Sequence, residues 1–65
     1  MSTTEDAIQE IRGEVYGKLF HEESELNEGQ RSGDRVKIER CGHFIRAYKN
    51  VLEVIERVRV KYRSA

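Results

Sequence analysis

Sixty-five residues, 37% hydrophobic and 37% charged with a formal net charge of zero, allow a single domain whose core is thermodynamically marginal by itself. Cys41 is the only cysteine, which excludes an internal disulfide framework, and no apolar run nears the roughly 20 residues of a membrane span. Met1 to Asp6 is polar and acidic rather than signal-like, so the sequence predicts a soluble cytoplasmic protein that supplements its small core by oligomerising.

Ser2, Thr3 and Thr4 offer N-cap hydroxyls, and Glu5 and Asp6 follow where negative charge favours a helix start. Ile8, Ile11, Val15, Leu19 and Leu26 then recur at steps of three, four, four and seven, a narrow seam on a first helix from about residue 4 to 27. Tyr16 and Phe20 form a pair one turn apart on an adjoining face. Gly13 and Gly17 interrupt the helix, each costing about 1 kcal/mol relative to alanine. Their spacing offers either a close approach for another backbone or two solvent-facing glycines.

Residues 27 to 34 contain no apolar side chain and include Gly29 and Gly33, so the connection is expected at about 28–33. It is not a phosphate-binding loop, since no Gly-Lys-Ser/Thr follows and nothing before it reads as a strand.

A second helix is expected from about residue 34 to 62, capped by Ser32 or Asp34. Val36 and Ile38 alternate with polar neighbours, which gives a competing reading: a short extended segment, a break at Gly42 and a helix from His43. Beyond Phe44 the helical period is clear. Ile38, Cys41, Ile45, Tyr48, Leu52 and Ile55 keep a three-four rhythm, and Phe44, Ala47, Val51, Val54 and Val58 form a second stripe beside it. Together they span an apolar arc of roughly 200°, wider than one partner helix covers.

The fold class that follows is all-α: one domain, an antiparallel two-helix hairpin over residues 1–65, expected to pair into a four-helix bundle. Reversal near Ser32 places residues whose numbers add to about 64 at one level, Leu19 with Ile45 and Ile8 with Ile55. Phe44, Ala47, Tyr48, Val51, Val54, Ile55, Val58 and Tyr62 are the expected dimer or partner interface.

Charge is segregated along the chain. Residues 1–30 carry eight acids and two bases, and residues 31–65 carry ten bases and four acids. A fold-back lays these halves together, bringing opposite charges along the flanks. Arg46, Lys49, Arg57 and Lys61 fall on the outer face of the second helix, as candidate contacts for an acidic partner or for phosphates. Arg59 falls within the apolar arc and is expected to reach an acid on the first helix or on a neighbouring subunit.

Cys41 and His43 in the stretch ERCGHFIRAY suggest chemistry, and His21 would lie at the level of His43. Helical projection nevertheless turns Cys41 into the apolar arc and His43 about 160° away, so the three do not close around one ion. A thiol on the core stripe packs as a small hydrophobe. No catalytic residue, metal or cofactor is predicted, and the chain is not expected to be an enzyme.

What remains is a small regulatory, adaptor or inhibitor protein acting by binding a larger macromolecule. Its expected partners are a second copy of itself and another protein, with no membrane. The alternatives are a nucleic-acid-binding protein using the basic outer face, an assembly module completed by a larger complex, and a binder of a small anionic ligand.

Overall fold

A computed structural model describes residues 3–64. Two 30-residue helices, α1 (Thr3–Ser32) and α2 (Arg35–Ser64), pack side by side as an antiparallel hairpin measuring 48 by 16 by 11 Å. The all-helical hairpin expected from the sequence is therefore present. No strand occurs among the described residues, and no helix is long and apolar enough to cross a membrane.

The connection is far shorter than residues 28–33. It consists of Gly33 and Asp34 alone, because α1 continues five residues past the expected end. The reason lies at Gly29, which is buried in the last turn of α1. A Cβ built there would stand 3.3 Å from Ile38 Cγ1 and 3.4 Å from Lys37 Cγ, so this glycine admits the first turn of α2 instead of breaking α1.

Gly33 adopts φ +72°, a conformation open to glycine at little steric cost. Asp34 N–H then donates to the Gly29 carbonyl at 2.9 Å, closing α1 in a Schellman arrangement. The same Asp34 opens α2, its Oδ1 accepting from Lys37 N–H at 3.1 Å as an N-cap. One residue thus ends one helix and begins the next.

From Arg35 the helix runs unbroken through Gly42, so the extended segment over residues 35–39 does not form. Val36 is the exposed half of the alternation and Ile38 the half-buried one, a pattern that a helix face satisfies equally well. Because the chain reverses between residues 33 and 34, paired levels add to about 67, some three residues later than a reversal at Ser32 gives. Ion pairs report this register: Arg12–Glu56 and Glu5–Arg63 both join residues whose numbers add to 68.

The core is small. Among the described residues, Leu19, Cys41 and Leu52 are the buried apolar side chains, with Ile8, Val15, Leu26, Ile45, Tyr48 and Ile55 half-buried along the seam.

Candidate functional site

At about 100° per residue, Leu52 and Cys41 fix the side of α2 that meets α1, and the second stripe turns progressively away from it. Phe44 and Val51 are each 43% exposed, Val54 is 49% exposed and Val58 38%. Ala47 and Tyr62 are also exposed, while Tyr48 and Ile55 sit half-buried at the border with the seam. All eight expected interface residues therefore share one flank of α2, and six of them remain open to solvent. Phe44 and Tyr48 stack with ring centroids 6.2 Å apart and planes 18° off parallel, which stiffens one end of the strip.

α1 contributes to the same face. Ile8 and Ile11 join Val54, Ile55 and Val58 around a shallow apolar groove. Ile11 was expected in the seam, but it projects about 80° from Leu19 and is largely exposed, so it borders the new face instead. Its step of three from Ile8 was the signal, since successive threes carry a side chain off the axis of a 3.6-residue helix.

Cross-hairpin ion pairs flank the seam. Lys37 Nζ lies 2.9 Å from Glu25 and 3.7 Å from Glu28, and Arg63 lies 3.5 Å from Glu5. The hydrogen bond from Lys37, followed by its charge, holds the Glu25 carboxyl below its usual range. The same bond to Glu25 raises Lys37, against the opposing effect of desolvation. Acidic α1 and basic α2 are thus joined along their length, as the charge segregation led us to expect. The Arg59 guanidinium lies 3.5 Å from Glu56 on its own helix, and Glu56 in turn reaches Arg12 of α1.

Arg46, Lys49, Arg57 and Lys61 are exposed on the outer side of α2 and take part in none of the ion pairs among the described residues. Tyr16 and Phe20 stack at 6.1 Å, and Arg12 lies 5.0 Å over the Tyr16 ring. This aromatic pair falls on the opposite flank from the apolar groove.

The thiol of Cys41 is fully buried, and burial first, then the neighbouring Glu22 carboxylate, pushes its pKa upward. A reactive thiolate requires the reverse environment. His43 is exposed, and His21 Nε2 stands 3.8 Å from Glu25. Among the described residues no three His, Cys, Asp or Glu side chains converge as a metal site.

Compared with protein families, curated proteins and solved structures, the chain shows no match.

Proposed function

We propose that this chain is a small non-enzymatic regulatory, adaptor or inhibitor protein of the cytoplasm. It closes its apolar face against a second copy to form a four-helix bundle, and as that dimer binds a larger macromolecule. One observation carries the reading. A folded hairpin with three buried apolar side chains among the described residues leaves Ile11, Phe44, Val51, Val54, Val58 and Tyr62 open on adjoining surface. Complete burial of a Val or Phe stabilises by about 1.5–3 kcal/mol, so covering these partly exposed residues contributes about 1 kcal/mol each. That is the missing core of a chain this short.

A specific observation favours a second reading for the outer surface. The exposed Arg46, Lys49, Arg57 and Lys61, which enter no ion pair among the described residues, suit nucleic acid as well as an acidic protein.

Native mass spectrometry and sedimentation equilibrium of the purified chain test the dimer. A dimer without added mass supports it; a monomer at every concentration, or a tightly held small anion, overturns it. Affinity capture at rising ionic strength tests the partner class. A protein retained above about 0.5 M salt supports the adaptor reading, whereas nucleic acid released steeply with salt transfers the function to the second.

A further inference from the structure

Resting on the dimer just proposed, we infer its symmetry: the two-fold axis runs parallel to the helices, so that α1 of each copy packs against α2 of the other and both turns lie at one end. The hairpin as a whole extends 48 by 16 by 11 Å, so its broad side is long enough for two copies to lie face to face along their helices.

Two isologous arrangements bring this face onto itself. An axis along the helices sets α1 across from the partner's α2 with every residue at the level it already holds in the hairpin. An axis across the helices sets α1 on α1 and α2 on α2, with the turns at opposite ends. Apolar and charged positions both select the first.

Within one hairpin, Ile8 and Ile11 share a groove with Val54, Ile55 and Val58, so these two segments occupy one level. The parallel axis consequently puts Ile8 and Ile11 over the partner's Val54 and Val58, apolar on apolar. The transverse axis, centred on the apolar patch, carries Ile8 and Ile11 toward the polar second half of α1, where Lys18 and Glu22 stand.

The rims add a second, independent criterion. Glu10 and Glu14 edge the face on α1, beside Ile11 and Val15. Lys61 and Arg57 edge it on α2, about 60° and 100° beyond Val58. None of these four enters an ion pair among the described residues. With the parallel axis, Glu10 lies opposite the turn of α2 between Arg57 and Lys61, and Glu14 one turn farther along, twice per dimer. Lys18, next on the α1 rim, meets the neutral Asn50. With the transverse axis Glu14 faces its own counterpart, Glu10 meets the partner's Lys18, and Arg57 and Lys61 find no acid across from them, so fewer opposite charges are paired than with the parallel axis.

Rim charges set orientation without being needed for folding, which makes the inference testable by reversal. The variants are E10K/E14K, R57E/K61E and the combination of all four, each checked for helix content by circular dichroism and weighed by sedimentation equilibrium at low salt. For the parallel axis, each double variant associates about tenfold more weakly or worse than wild type, and the fourfold variant recovers wild-type association. An R57E/K61E variant that dimerises as tightly as wild type, or a fourfold variant no tighter than E10K/E14K, overturns the axis while leaving the dimer intact, since without the parallel axis the two rims do not face each other. A wild-type chain that is monomeric throughout instead removes the reading on which the inference rests.

Discussion

Arg12 Nε stands 2.8 Å from Glu56 Oε1 across the helix seam, and Arg59 Nη1 lies 3.5 Å from the same oxygen. The three side chains form a charged layer on the line that Ile8, Val15, Leu52 and Ile55 otherwise fill. Arg12 Nε, Glu56 Oε1 and Arg59 Nε are buried without an aligned hydrogen bond, so this layer rests on charge proximity rather than directed bonding. A charged layer of this kind contributes less to stability than to registry, because sliding one helix by a turn would part Arg12 from Glu56, the one acid of the layer, while Arg59 keeps it.

Removing Glu56 should therefore cost more than an exposed ion pair is worth. Glu56→Ala leaves Arg12 and Arg59 facing each other, and we expect a loss of about 1–2 kcal/mol, moderated because both Arg12 and Glu56 keep partial solvent access. Urea unfolding of Glu56→Ala, Arg59→Met and the double variant checks this. The double variant should be more stable than the two single losses added together, since it relieves the repulsion as well. Additive losses would show that the layer is three independent surface charges.

The turn concentrates two backbone requirements in adjacent residues. Gly33→Ala forces a side chain into φ +72° and should destabilise by about 1 kcal/mol. Asp34→Ala removes the acceptor for Lys37 N–H and should cost a similar amount, about 1 kcal/mol, while Asp34→Asn or Asp34→Ser retains most of the cap. Thermal unfolding distinguishes these cases; equal behaviour of Asp34→Ala and Asp34→Asn would dismiss the capping role.

Stability should fall off on both sides of neutrality through Glu25 and Lys37. Glu25 has a folded pKa below its ordinary 4.5, so its contribution is complete above that value and is lost as pH falls through the lower folded pKa. Lys37 is raised above its ordinary 10.5, so its contribution is complete below that value and disappears as pH rises through the higher one. Urea midpoints of wild type and Lys37→Met, compared from pH 3 to 7, should converge toward the acid end. A constant gap across that range would show that Lys37 acts through its stem and not through Glu25.

Much of this was legible in the residues because helical periodicity is local. The stripes from Ile38 to Val58 needed only the 3.6-residue repeat to place them, and charge segregation foretold the cross-hairpin ion pairs. The turn was misread for an equally physical reason. Asn27 to Ser32 is polar because it faces solvent on most sides, and Gly29 is there for close packing against Lys37 and Ile38, which only the three-dimensional approach of α2 reveals. Arg59 was expected to reach an acid on the first helix or on a neighbouring subunit; Glu56, one turn earlier on α2, already faces Arg12 and also lies beside Arg59. The eight-residue strip from Phe44 to Tyr62 came from periodicity, but the share of Ile8 and Ile11 in its groove depended on the rotation of α1, which sequence spacing fixes only loosely.

Gly13 and Gly17 distinguish a free helix surface from an occupied one. A Cβ at either position would find nothing within 4 Å, so the hairpin itself gives no steric reason for glycine there. Gly13 lies on the side of α1 away from the proposed bundle interface, and Gly17 borders a depression at its margin that Tyr48 also lines. Alanine at each should stabilise the chain by about 1 kcal/mol through helix propensity and reduced unfolded-state entropy, with self-association unchanged. Chemical unfolding and sedimentation of Gly13→Ala, Gly17→Ala and the double variant measure the two effects separately. Stabilisation with intact dimerisation would mark these glycines as solvent-facing in the dimer. Weakened dimerisation would instead place a partner backbone against the Gly13 and Gly17 face and move the bundle contact to the flank that carries Tyr16 and Phe20.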